Sequence, residues 1–188
     1  MTAAIPKPLT LEQFLAMPDI EASPAWELIC QDIIQKPMPG GKHSRLQLRL
    51  EGKLDAADSD YEALPELRCT FGGQSIVPDL VVLKTNTIPT DEAGDIISTG
   101  IDFAPPWIIE ILSPEQNQTR LTRKILHCLR HGPHLGWLID PYERVVLAYQ
   151  PNQLPDELVD DAQLPGLPNM ALNLTAARLF SWLKVGTR

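Results

Sequence analysis

Two short runs constrain this chain more than any other feature. Ser75-Ile76-Val77-Pro78-Asp79-Leu80-Val81-Val82-Leu83 and Trp107-Ile108-Ile109-Glu110-Ile111-Leu112 are apolar at almost every position. Side chains alternate across a strand, so a strand with one wet face reads apolar, polar, apolar. Runs without that alternation belong to strands covered on both faces. The chain must therefore wrap a sheet in further layers. Two amphipathic helices are available for this. Over 42–57, Leu46, Leu50 and Leu54 recur every four positions, and over 120–130, Leu121, Ile125, Cys128 and Leu129 form an apolar arc. Strands mixed with two substantial helices predict one α/β (α+β) domain over all 188 residues. The 18 prolines exclude a coiled coil or long-helix bundle.

The remaining elements read more weakly. Residues 1–9 are expected to be a loose arm. Thr10-Leu11-Glu12-Gln13 is a capping-box pattern that starts a short helix over 11–17, ended by Pro18. Runs 26–29 and 33–35 read as a hairpin around Gln31-Asp32. A strand is expected over 61–71, interrupted at Pro65, then a turn at Gly72-Gly73 and one continuous strand over 75–83. Residues 84–106 read as a surface loop. Thr119 is the expected cap of the 120–130 helix, with Gly132 and Pro133 as its stop. Strands over 137–139 and 145–149 flank an Asp140-Pro141 turn. A proline-rich acidic loop over 150–169, a weak strand over 171–174 and a closing helix over 175–183 complete the chain.

Sixteen Lys+Arg against 24 Asp+Glu give 16 − 24 = −8, which excludes coating nucleic acid through net charge alone. Local basic faces remain. Lys42, Arg45, Arg49 and Lys53 share one helix with Glu51, and no acid lies between Glu115 and Asp140, where Arg120, Arg123, Lys124 and Arg130 fall. Lys42, Arg45, Arg49, Arg120 and Arg123 are thus candidates to track a phosphate backbone; the alternative is solvated helix faces. Cys30, Cys69 and Cys128 form no CxxC pair, and a sparse, odd count fits a reducing compartment, the cytoplasm by default. Apolar runs reach about five residues against the roughly 18 needed to cross a bilayer, and no leader pattern is visible, so no membrane partner is expected. His127 and His131 can share a helical face but lack a third ligand, and no nucleophile elbow or P-loop is present.

The two apolar runs each carry one residue that serves the fold badly. Asp79 shares a face with Val77 and Val81, and Glu110 with Ile108 and Leu112. Stripping a carboxylate of water costs several kcal/mol, so something must compensate it. A divalent cation would; a strand end open to solvent or an arginine partner are the alternatives. Lys124 is the third such residue, at the edge of the apolar arc of its helix. Either its ammonium snorkels to the rim, or it is aimed at the same place as the two acids.

The combination Pro78-Asp79, Glu110-Ile111-Leu112-Ser113-Pro114, Lys124 and Gly136-Trp137-Leu138-Ile139-Asp140-Pro141 resembles the Uma-type (Uma two) endonuclease family, within the PD-(D/E)XK restriction-endonuclease-like superfamily. The likeness runs from the helix at Leu11 to about Leu183 and takes in Trp26-Glu27-Leu28-Ile29 and His43. It implies a restriction-endonuclease-like mixed central sheet flanked by helices. It implies catalytic Asp79, Glu110 and Lys124, with Mg2+ or Mn2+ held by Asp79, Glu110, the Ile111 carbonyl and Glu27. His43 matches a histidine of underived role. The superfamily's usual lysine position, two after the acid, is Leu112 here; the Uma-type pattern carries the lysine on the following helix, where Lys124 stands. Arg120 and Cys128 depart from the family pattern, at positions that bear on substrate contacts.

The resemblance implies a metal-dependent DNA endonuclease. The alternative is a catalytically degenerate nuclease-fold module for binding or assembly, and a third is a hydrolase of a smaller phosphate ester. Superfamily nucleases commonly act as homodimers, and Trp182 with the 150–169 loop is the expected interface material.

Overall fold

The computed structural model describes residues 9–57, 60–97, 99–114 and 116–186, so the expected N-terminal arm falls almost wholly outside them. Helix α1 (Leu11–Leu15) carries the predicted capping box, with Gln13 N donating to Thr10 Oγ1 and Thr10 N to Gln13 Oε1. The hairpin of β1 (Trp26–Ile29) and β2 (Asp32–Gln35) turns through Cys30 and Gln31, one residue before the expected turn. Both have positive φ, 50° and 71°, the pairing whose twist suits a two-residue hairpin loop. Helix α2 (Gly41–Asp55) buries His43, Leu46, Leu50 and Leu54.

Two expected strands are each broken in two. The run 61–71 forms β3 (Tyr61–Pro65) and β4 (Cys69–Phe71), separated by a turn in which Glu66 has φ 52°. The run 75–83 forms β5 (Gln74–Ile76) and β6 (Leu80–Lys84). Proline lacks the N–H a ladder needs, and the chain leaves one sheet for the other across Val77, Pro78 and Asp79. Asp79 therefore lies between strands, not within one.

Strand β7 (Trp107–Ile111) follows a long connection that is pinned by a bridge between Cys69 and Ile101. Helix α3 (Gln118–Leu129) is capped by Asn117, whose side chain accepts from Thr119 N; Thr119 is inside the helix. Strands β8 (Leu135–Asp140) and β9 (Val145–Tyr149) flank a turn in which Asp140 Oδ1 accepts from Tyr142 N and Glu143 N. Strand β10 (Asp156–Leu158) lies in the stretch expected to be loop, paired to β9 through its backbone. The expected strand over 171–174 is absent; that stretch is irregular. Helix α4 (Ala176–Ser181) is capped by Thr175. Trp182, expected at the surface, is only 7% exposed and belongs to the core.

The strands make a six-stranded mixed sheet, β10-β9-β8-β7-β6-β3, and a four-stranded antiparallel sheet, β2-β1-β5-β4. Only β7 and β8 in the large sheet run parallel, and α3 supplies the crossover a parallel pair requires. One face of the large sheet packs Trp107, Ile109, Ile111 and Trp137 against Leu46, Leu50 and Leu54 of α2 and Leu179 of α4. The other packs Val81, Ile108 and Leu138 against Leu121, Ile125 and Cys128 of α3 and Phe71 and Ile76 of the small sheet. This two-sided cover is the reason β6 and β7 lack alternation. The mixed α+β architecture is the one expected. All three cysteines are free thiols. Among the described residues, no helix is long and apolar enough to cross a membrane.

Candidate active site

Alternation along β7 turns Glu110, like Ile108, toward α3 and the small sheet. On α3, Lys124 lies three residues from Leu121 and one from Ile125, both packed on that face. Its Nζ stands 2.7 Å from Glu110 Oε1 and 2.8 Å from Glu27 Oε1 on β1. Lys124 is 1% exposed, so its ammonium is buried and does not snorkel to the rim.

Asp79 sits beside this trio, fully buried. Its Oδ2 accepts from Ile111 N at 2.7 Å and lies 2.9 Å from His43 Nε2 at the start of α2. Its Oδ1 accepts from Lys36 Nζ at 3.0 Å. Lys36 also donates to Val77 O at 2.9 Å and to Glu66 Oε2 at 2.5 Å.

The Val77 peptide joins the two halves. Its carbonyl accepts from Lys36 and, at 3.4 Å, from Lys124, while its N–H donates to Glu27 Oε1 at 2.7 Å. The break between β5 and β6 frees these groups, because a residue outside both ladders spends its N–H and C=O on side chains.

Charge in the cluster does not balance. Four acids, Glu27, Glu66, Asp79 and Glu110, face two ammoniums, Lys36 and Lys124, so with all four ionised 2 − 4 = −2, and with the proton that burial keeps on Glu110 near neutral pH 2 − 3 = −1. Burial pushes the Glu110 carboxyl up to about 8, with Asp79 and Glu27 adding to the rise and Lys124 opposing it. Burial also disfavours the charged form of Asp79, but Lys36, His43 and Lys124 outweigh it and hold that carboxyl well below the usual range. Burial acts against the Lys124 ammonium, yet Glu110, Glu27 and Asp79 keep it charged. Lys36 is likewise raised, its burial outweighed by Asp79 and the other acids.

Glu110 is the unsatisfied member. Its Oε1 is paired with Lys124 at 2.7 Å, but its Oε2 has no hydrogen-bond partner although it is buried. A buried oxygen normally finds one. A hard divalent cation fits this donor set by charge and by ligand type. Among the described residues no three His, Cys, Asp or Glu side chains already converge as a metal site. The two lysines stand between the acids.

Two openings reach the cluster. One, about 270 Å3, is bordered by Pro24, Lys36, His43, Gln47, Glu66 and Asp79. The other, about 150 Å3, is bordered by Glu27, Lys36, Asn117, Arg120 and Lys124. Arg120 is therefore at a mouth of the site; Arg123 is not among its walls. Arg45 and Arg49 are elsewhere. At 100° per residue they lie about 200° and 240° around α2 from His43. They line a separate groove with Lys53 and Arg178, and Arg45 donates to the Trp182 and Lys184 carbonyls. Lys42 lies 4.3 Å from the Tyr142 ring centre. His127 stacks on Phe71, and His131 meets the same ring edge-on.

Lys36, Glu66 and the Val77 peptide escape a reading of the sequence. Lys36 and Glu66 each stand beside a proline at the end of a strand run, where a charge is unremarked, and a backbone group carries no sequence signal.

The model of the Uma2 family, described as "putative restriction endonuclease", matches residues 11–177. A solved structure described as a putative nuclease belonging to DUF820, from Anabaena variabilis, is similar at 44% identity and a TM-score of 0.88. The alignment covers 94% of this chain and all of that one. No curated protein matches the chain.

Proposed function

We propose, on the premise that this chain belongs to the Uma2 family of putative restriction endonucleases, that it is a metal-dependent endonuclease hydrolysing phosphodiester bonds in DNA. Asp79 and Glu110 would hold Mg2+ or Mn2+, with Glu27 and the Ile111 carbonyl as further ligands. The bound ion supplies an electrophile for the phosphate and lowers the pKa of its water. The chain's own groups do the rest. Lys124, kept charged and aimed by Glu27 and Glu110, orients the attacking water or stabilises charge gathering on the phosphate oxygens. His43 and the Ile111 N–H fix the Asp79 carboxylate. Arg120, at the smaller opening, holds the incoming backbone.

The observation that carries this reading is Glu110, a buried carboxyl whose Oε2 has no partner, in a cluster where four acids face two ammoniums. The test is nicking of supercoiled plasmid by purified protein with Mg2+ or Mn2+. Asp79→Ala, Glu110→Ala and Lys124→Ala are each expected to reduce it to background. Nicking that survives all three would refute the site.

One observation favours a second reading, a nuclease-fold module without catalysis. Asp79 already has a partner on both oxygens. Such a module would neither cut DNA nor melt higher with Mn2+, whereas a binding site gains stability by mass action.

A further inference from the structure

We propose that Lys36 is a tethered cation that occupies the metal-facing oxygen of Asp79 and must be displaced before a divalent ion can bind. This deepens the metal-dependent reading above and rests on it. Asp79 Oδ2 is committed to His43 and the Ile111 N–H, so a metal reaches this carboxylate through Oδ1. Oδ1 is the oxygen that Lys36 holds. The ammonium has three donors, and its three partners are all oxygens: Asp79 Oδ1, Val77 O and Glu66 Oε2. An all-oxygen cradle is also the kind of ligand set that a hard divalent ion takes. Two cations on one carboxylate oxygen repel strongly at such distances.

The cradle is built to let go on one side. Lys36 and Asp79 are buried, whereas the Glu66 side chain is 45% exposed. Lys36 borders both openings. Leaving the cradle carries the charge past Glu66 into solvent, so Glu66, like the Val77 carbonyl, holds Lys36 in the closed state. Metal affinity is then reduced by the fraction of molecules in which Lys36 holds Asp79.

Calorimetric titration of Mn2+ into wild type, Lys36→Met and Glu66→Gln tests this. Lys36→Met is expected to bind about tenfold tighter or better, because the competing state is removed. Removing a nearby positive charge could do the same without any tether, so Glu66→Gln decides. It deletes a negative charge, which on charge alone weakens Mn2+ binding, but it also loosens Lys36, which on the tether strengthens it. Tighter binding by Glu66→Gln supports the proposal, and it stands as the test should Lys36→Met not fold. Weaker or unchanged binding by Glu66→Gln overturns it, as does Lys36→Met binding no tighter than wild type. Absence of Mn2+ binding in wild type and both variants removes the metal site and the tether together. Binding by wild type that neither variant changes removes the tether alone.

Discussion

Glu110 makes this site sensitive to pH in a direction opposite to most ion-paired acids. Its carboxyl is raised from the ordinary 4.5 to about 8 by burial, against the opposing pull of Lys124. Between those values the folded chain holds a proton that the unfolded chain has released. Folded-state stability from this group is therefore present below about pH 4.5 and is lost as pH rises through about 8. Glu110→Gln keeps the shape and cannot ionise. Its melting temperature relative to wild type is expected to rise between pH 6 and pH 9; an unchanged difference would contradict the assignment. Asp79 behaves in the opposite sense: its lowered carboxyl gives stability above the ordinary carboxylate range that is lost in acid. Both acids are legible in the sequence, since each interrupts an apolar run. Lys124 is half legible. Its helical position is clear, but its burial comes from the small sheet closing over α3, which periodicity does not report.

At the scale of elements, the contact between α3 and β8 positions the Lys124 amine. Gly136 permits it, because a Cβ there would come within 2.4 Å of Ile125 Cγ2. Gly136→Ala is expected to destabilise the chain by about 1–3 kcal/mol through overpacking, measured by urea unfolding, and to lower nicking by shifting Lys124. Equal stability in the variant would show that the helix has slack. The helices and the buried strands β6 and β7 can be read from residue pattern. The breaks are harder to read: Pro78 divides a run that looks continuous, and although Pro65 marks the interruption of 61–71, nothing in the sequence says that the two halves of each run join different sheets. Strand β10 is invisible for another reason. Asp156-Glu157-Leu158 is held by its backbone ladder to β9 and offers only Leu158 to the core.

For the whole molecule, the surface charges divide into separate regions. Arg120 borders the acids, while Arg45, Arg49, Lys53 and Arg178 line a groove on the far side of α2. A chain of net charge −8 repels DNA at a distance, so binding must come from local contacts and weaken with salt. Arg120→Ala is expected to weaken DNA binding in a mobility-shift assay more than Arg49→Ala and to flatten the salt dependence. A larger effect at Arg49 would move the DNA path to the outer groove. Composition allowed local basic faces but could not say which one meets the acids, since that depends on how α2 is rolled against the sheet.

The parallel pairing of β7 with β8 obliges the chain to pass over one face of the sheet, and Lys124 rides on that passage. A nitrogen that elsewhere in the superfamily follows the acid along the strand here arrives from above, 2.7 Å from Glu110. On the proposed roles, a column-by-column alignment at Leu112 overlooks the amine that Lys124 supplies. On those roles, an amine carried by the helix lies close to the acid without leaving a motif along the strand, so relatives of this chain are better grouped by interatomic distance than by motif.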